Sequence, residues 1–159
     1  MTRFLQELFP QARFVLIVRH PVVVALGTSK WLRGRGLRTP LANWFAAHDT
    51  MRGDLPHLRH VQVLRYEELS ADPEGVLGDL GRFLALDGPE PAGTWQGGRS
   101  DAYTRRWAEL ADDWRPWRRA RRRSLVREFA DRAASYGYDL EDLDALRPWE
   151  PTAPGRPVG

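Results

Sequence analysis

The 159-residue sequence contains no cysteine, which excludes a disulfide framework and a thiolate metal site. Histidine is also scarce, and the four residues His20, His48, His57 and His60 show no ligand-like spacing with carboxylates. We therefore predict no metal site. No segment reaches the roughly 20 apolar residues that cross a bilayer, and the amino terminus lacks the apolar core of a signal peptide. We expect a cytoplasmic protein.

Lysine is almost absent, since Lys30 is the one lysine among 24 basic residues, and the formal net charge is only +3. A bias toward GC-rich codons would produce the same excess of arginine without functional meaning. Guanidinium groups are nevertheless well suited to forked contacts with phosphate. The composition therefore keeps an anionic ligand in consideration.

Two successive strand-to-helix units predict an α/β fold with a parallel sheet. In the first, the apolar run of Arg13–Val18 predicts a buried strand, and Pro21 opens a helix over Val22–Leu32. In the second, a strand over Val61–Leu64 precedes a helix that Asp72 and Pro73 open. Strands joined by helical crossovers pair in parallel.

The remaining segments are assigned from periodicity and from turn residues. The predicted elements are a helix over residues 2–9, a helix over Leu41–Gly53 capped by Thr39, a long loop over Asp87–Ala102, and helices over Tyr103–Ala111 and Trp114–Ser135, the last closed by Gly137. We expect a single domain over residues 1–147 and a disordered, proline-rich tail over residues 148–159.

The carboxyl ends of both strands carry arginine. Arg19 follows the first strand, while Arg65 ends the second and is followed by Tyr66. Ligands of open parallel sheets bind at these ends, where helix amino termini converge. The pattern predicts a phosphate or sulfate site, although an arginine in this position is also commonly a surface residue or the partner of a carboxylate.

Two stretches resemble the central and later part of sulfotransferases that use 3'-phosphoadenosine 5'-phosphosulfate (PAPS). They are "FPQARFVLIVRHPVVVALGTSKW" and "LANWFAAHDTMRGDLPHLRHVQVLRYEELSADPEGVLGDLGRFLAL", and the resemblance covers about residues 4–86. It implies a partial three-layer parallel sheet flanked by helices, in a P-loop-like fold that lacks its first strand and loop. It also implies transfer of a sulfuryl group from PAPS to a hydroxyl or amine of a small-molecule or carbohydrate acceptor.

The resemblance implies a set of cofactor-binding residues, namely Arg19, Thr28, Ser29, Tyr66, Arg99 and Ser100. Arg19 matches the arginine that binds the 3'-phosphate. The family usually places a serine eight residues later, where this sequence has Gly27, so Thr28 and Ser29 are assigned in its stead. Tyr66 matches a tyrosine near the adenine. Arg99 and Ser100 match the loop that folds over the nucleotide, with a plain flexible linker as the alternative.

Two parts of the family's active site are not found in the sequence. Its glycine-rich loop for the 5'-phosphosulfate and its catalytic base lie upstream of the matched arginine, but only 18 residues precede Arg19. His20 and His48 are candidate bases, each with a structural role as the alternative. We therefore expect a domain truncated at its amino terminus. A late start assignment, gene decay, or another chain that supplies the missing half remain open explanations.

Two rival interpretations stay open. An arginine-rich helix over residues 114–127, with Trp114 and Trp117 among the arginines, is typical of sequence-independent binding to nucleic acid. Acidic residues at Asp112, Asp113, Glu128 and Asp131 bracket this helix, which favours an ordinary solvated face. Alternatively, the chain is a structural remnant without a ligand. The acceptor and the oligomeric state are not predicted.

Overall fold

The computed structural model describes residues 2–29, 36–86 and 100–149, with the backbone alone for Ser100 and Asp101. Within these ranges the chain has seven α-helices and one two-stranded parallel sheet, which confirms the predicted α/β class. Contacts divide the described residues into two compact units. Unit 1 comprises residues 2–19 and 48–86, and unit 2 comprises residues 20–29, 36–47 and 100–149.

Unit 1 contains the sheet. Strands β1 (Arg13–Val18) and β2 (His60–Arg65) pair in parallel, with Arg13 opposite His60 and Val18 opposite Arg65. The unit also contains the helices α1 (Thr2–Leu8), α4 (Tyr66–Ala71) and α5 (Pro73–Leu84), and a 3-10 turn over Leu55–His57. β1 has the bounds that the sequence predicts, because its apolar run is isolated by turn residues on both sides.

The amide of Gln6 organises the start of unit 1. Gln6 is buried, its Nε2 donates to the carbonyl of Pro10 at 2.9 Å, and its Oε1 accepts the backbone N–H of Arg59 at 2.9 Å. These bonds satisfy a buried polar group and tie α1 to the segment before β2. The aromatic and aliphatic side chains of α1, by contrast, are largely exposed, at 64% for Phe4 and 55% for Leu8.

Helix α5 begins as predicted. Asp72 is its N-cap and accepts the backbone N–H of Gly75 at 3.0 Å, and Pro73 occupies the first turn. Helix α4, just before it, was not predicted. It is only six residues long, too short to show a full apolar period.

Unit 2 has an aromatic core. It contains the helices α2 (Pro21–Ser29), α6 (Ser100–Glu109) and α7 (Pro116–Ala134), and the division between the units falls within α3 (Arg38–Asp54). Phe45 stacks on Phe129 at 5.3 Å between ring centroids, and Trp44 meets Tyr136 edge-on at 5.2 Å. After α7, Gly137 has a φ of 75°, the left-handed conformation expected of a residue that closes a helix.

Several predicted boundaries are wrong. α3 begins at Arg38, so Thr39 lies inside the helix instead of capping it. α6 begins at Ser100, so the end of the predicted loop is helical, while residues 87–99 lie outside the described residues. Trp149, which the sequence assigns to the tail, lies 5.6 Å from the Tyr136 ring, and residues 150–159 lie outside the described residues.

Candidate functional site

The predicted residues Arg19 and Tyr66 meet at the carboxyl ends of the two strands. Because Val18 is paired with Arg65, the residues that follow them leave the sheet side by side. The Arg19 guanidinium carbon lies 4.1 Å from the centroid of the Tyr66 ring. A guanidinium over an aromatic face is held by the ring quadrupole without losing its positive charge. Unit 1 therefore presents an oriented cation at the end of its sheet.

The second strand-end arginine has a structural role. Arg65 is 8% exposed, and its Nε donates to Glu68 at 2.8 Å, while Glu68 also accepts the backbone N–H of Arg65. Glu68, in the first turn of α4, therefore accepts from both the backbone and the side chain of Arg65. Of the two interpretations of Arg65, the structure thus shows the carboxylate partner.

His20, one of the two candidate bases, is a buried helix cap in unit 2. Its Nδ1 accepts the backbone N–H of Val22 at 3.2 Å, and its Nε2 lies 3.0 Å from the carbonyl oxygen of Asp139. A carbonyl can only accept, so we assign the proton to Nε2. Burial lowers the pKa of His20 to about 4, against the opposing effect of Asp139. With both nitrogens engaged, His20 is not placed to take a proton from an acceptor.

Thr28 and Ser29 lie in the last turn of α2, and both hydroxyls donate to carbonyls of their own helix. Thr28 bonds to Val24 at 2.7 Å, and Ser29 bonds to Leu26 at 2.8 Å. Thr28 is exposed, whereas Ser29 lines a cleft of about 330 Å³ in unit 2. Each hydroxyl must rotate away from its helix carbonyl before it can donate to a ligand.

A hydroxyl that sequence reasoning missed lies beside Gly27. A Cβ placed on Gly27 would be 3.7 Å from the Tyr103 hydroxyl oxygen, where α6 packs against α2 in unit 2. The resemblance noted in the sequence predicts a family serine at the position of Gly27. Tyr103 is distant in the chain and belongs to a different helix, so no local pattern in the sequence points to this proximity.

The remaining predicted site residues stay sequence-based predictions. Arg99 lies outside the described residues, and Ser100 is the first residue of α6, with only its backbone described. His48 is half-buried on α3. Within the described ranges, no group of three or more histidine and carboxylate residues is arranged to hold a metal ion. The described helices are all too short or too polar to cross a membrane.

The described fold is that of an α/β protein with a cation at the carboxyl end of a parallel sheet. A family model described as the sulfotransferase family matches residues 1–90, which is more than half of the 159-residue chain. The chain belongs to the sulfotransferase family, and sulfuryl transfer is the general activity that this membership indicates. The comparisons with curated proteins and with solved structures gave no significant match.

The match extends from α1 to the end of α5 and leaves α6 and α7 outside it. The cation over Tyr66 is therefore within the matched part of the chain. The aromatic core of unit 2 draws Trp44 and Phe45 from the matched part, and Phe129 and Tyr136 from beyond it.

Proposed function

We propose that the protein uses PAPS as its sulfuryl donor, within a P-loop-like sulfotransferase architecture in the cytoplasm. The acceptor in this proposal is the hydroxyl or amine of a small molecule or a carbohydrate. The observation that carries the proposal is the Arg19 guanidinium, held 4.1 Å from the Tyr66 ring at the end of the sheet.

Arg19 suits the 3'-phosphate of the nucleotide because a planar guanidinium can bind two phosphate oxygens at once. Tyr66 fixes the plane of this group before a ligand arrives, which lowers the entropy lost on binding. In the proposal Tyr66 also lies next to the adenine. Thr28, Ser29, Arg99 and Ser100 remain sequence-based predictions for the same ligand.

The reaction breaks the bond between sulfur and the bridging phosphate oxygen and forms a bond between sulfur and the acceptor atom. The acceptor proton passes to a general base, and negative charge develops on the bridging oxygen. The geometry of His20 argues against that residue as the base, since its Nδ1 caps α2 and its Nε2 bonds to Asp139. We assign the base to no residue of the described chain.

The proposal is tested by the thermal stability of the protein with adenosine 3',5'-bisphosphate and with adenosine 5'-monophosphate. A ligand that binds the folded state stabilises it by about 2.7 kcal/mol at a hundredfold excess over its dissociation constant. We expect the bisphosphate to raise Tm and the monophosphate, which lacks the 3'-phosphate, to have a much smaller effect.

Arg19→Ala should abolish the shift with the bisphosphate. Arg59→Ala is the matched control, because Arg59 is an exposed arginine of the same unit. Equal shifts from the two nucleotides, or a shift that survives in Arg19→Ala, would contradict the proposal. The absence of any shift would favour a structural remnant without a ligand.

A second candidate function, binding to single-stranded nucleic acid, rests on exposed residues of α7 and of the segment just before it. Trp114 and Trp117 are 76% and 64% exposed, and Arg119, Arg123 and Arg127 follow one another at four-residue spacing, all exposed. Residues at this spacing share a helix face. Arginines of this kind attract phosphates, and tryptophan can stack on bases.

The acidic residues around α7 neutralise this face only in part. Asp113 pairs with Arg118 at 3.1 Å, and Glu128 pairs with Arg38 at 2.7 Å. In a salt titration with single-stranded DNA, three phosphate contacts predict a slope of log K against log salt of about −2. A slope near zero, or one unchanged when these three exposed arginines are replaced by Gln, would rule the candidate out.

A further inference from the structure

A cavity of about 160 Å³ in unit 2 combines an apolar floor with an arginine-rich rim. Trp107 and Leu125 form part of its floor, at 1% and 5% exposure, and Arg118, Arg121 and Arg122 of α7 also line it. Most of its lining comes from α6 and α7, which lie beyond the segment matched by the family model. The family assignment therefore leaves this cavity without a role.

The floor of the cavity is rigid. The Trp107 indole N–H donates to the carbonyl of Leu140 at 2.7 Å in a buried environment, which fixes the orientation of the ring. The Arg122 guanidinium lies 5.0 Å from the Trp107 ring centroid. An aromatic surface with a cation beside it is thus formed before any ligand binds.

Arg122 also presents an unsatisfied donor. Its Nε is buried and has no hydrogen-bond partner within the described part of the chain. A charged N–H group removed from water without an acceptor is costly, and such groups call for a specific explanation. Because the Arg122 side chain lines the cavity, an anion bound there would lie against a guanidinium whose Nε has no acceptor among the described residues.

Arg121 reaches the cavity because Gly36 has no side chain. Gly36 has a φ of 62°, and a Cβ at this position would lie 2.9 Å from the Arg121 guanidinium carbon. The guanidinium therefore lies against bare backbone in a conformation that favours glycine. Of the three arginines on the rim, Arg118 has its charge offset by Asp113 at 3.1 Å. Arg121 and Arg122 form no ion pair with the described residues, which leaves the cavity positively charged.

We propose that this cavity binds a small organic anion, consisting of one aromatic ring and one phosphate, sulfate, sulfonate or carboxylate group. The size supports a single ring, since an apolar cavity of about 150 Å³ accommodates benzene. The ring would lie against Trp107 and Leu125, and the anionic group would accept from Arg122 and Arg121. Among the described residues, none of those assigned to PAPS lines this cavity.

Isothermal titration calorimetry with four probes tests the proposal: phenyl phosphate, benzenesulfonate, phenol and inorganic phosphate. We expect both aryl anions to bind, and phenol and inorganic phosphate to bind at least about tenfold more weakly, because each lacks one of the two required groups. Inorganic phosphate that binds as tightly as phenyl phosphate, or no binding of either aryl anion, would overturn the proposal.

Variants locate the binding. Arg122→Leu should weaken phenyl phosphate by about tenfold or more, while Arg123→Leu, on the exposed neighbour, should change it by less than about twofold. Leu110→Trp fills the cavity and keeps every arginine, so it should also abolish binding of phenyl phosphate. This variant tests the site if Arg122→Leu does not fold. Arg19→Ala should bind phenyl phosphate as tightly as the parent protein does. Loss of binding in Arg19→Ala, or normal binding in Leu110→Trp, would place the ligand elsewhere.

Discussion

At the scale of single residues, His20 is a buried imidazole whose pKa is strongly lowered. Burial lowers its pKa from 6.5 to about 4, so the folded protein keeps the imidazole neutral where the unfolded chain would protonate it. The unfolded state therefore binds more protons between these values, and stability falls as pH decreases through this window. Below about pH 4 both states are protonated and this loss is complete.

We predict that protonation of His20 costs up to about 3 kcal/mol of unfolding free energy between pH 6.5 and pH 4. Urea unfolding at several pH values measures this loss. His20→Asn keeps an acceptor for the Val22 amide but does not titrate, so its stability should vary much less across the window. Equal pH dependence of the two proteins would contradict this account.

Residue roles were predictable from sequence only where a local rule applied. Asp72 was identified as a helix cap because Asp followed by Pro marks a first turn. Arg65 and His20 were ambiguous, because their roles depend on Glu68 in one case and on Asp139 in the other. His20 meets its partner only after the chain has folded, and no spacing in the sequence records that contact.

At the scale of elements, the cap of α5 lends itself to a stability prediction. None of the described side chains of α5 is fully buried. The stability of its first turn therefore depends more on local hydrogen bonds, such as the one to Asp72, than it would in a helix packed in the core. Asp72→Ala should lower the unfolding free energy by about 1 kcal/mol, measured by urea denaturation. Asp72→Asn retains an acceptor and should lose much less. If Asp72→Ala leaves the unfolding free energy unchanged, the cap does not contribute to stability.

Helix α2 provides a gain-of-binding prediction. A Cβ added to Gly27 would make an ordinary van der Waals contact, since its nearest neighbour is 3.7 Å away. Gly27→Ser introduces the hydroxyl that the resemblance predicts at this position and should strengthen binding of adenosine 3',5'-bisphosphate by about fivefold, the value of one hydrogen bond. Gly27→Ala is the control, because it also removes the energetic cost of a glycine inside a helix but adds no hydroxyl. If the two variants bind equally, the hydroxyl has no part in the site.

The accuracy of element prediction followed the strength of the local pattern. β1 and the start of α5 were predicted correctly, since an apolar run between prolines and an Asp-Pro pair are strong signals. The start of α3 was misplaced because Thr39 has the chemistry of a cap, whereas the helix already begins at Arg38, which pairs with Glu128. Likewise, periodicity found α6 and α7 but could not reveal the cavity between Trp107 and Arg122.

At the scale of the whole molecule, exposed apolar side chains are concentrated in unit 1. Five apolar residues described in unit 1 are each more than half exposed, namely Phe4, Leu8, Phe9, Ile17 and Leu86. Strands of parallel sheets are usually covered on both faces, yet Ile17 of β1 is 59% exposed. Apolar surface of this kind promotes association.

We predict that the protein self-associates through the apolar surface of α1. Phe4 and Leu8 share one face of this helix, so the double variant Phe4→Gln with Leu8→Gln should remain monomeric at concentrations where the parent chain does not. Light scattering across a concentration series measures the difference. Trp114→Ser removes an equally exposed residue from unit 2 and should behave like the parent. A parent chain that stays monomeric throughout would contradict the prediction.

The peptide bond between Arg19 and His20 is also where the two units divide. The residue proposed to hold the nucleotide and the buried cap of the aromatic core are therefore neighbours in sequence that belong to different sets of contacts. Amide deuterium uptake, followed peptide by peptide, can report the two units separately. Slower deuterium uptake confined to β1 and β2 would indicate a ligand at Arg19. Faster uptake in α2 and α7 would indicate opening of the aromatic core.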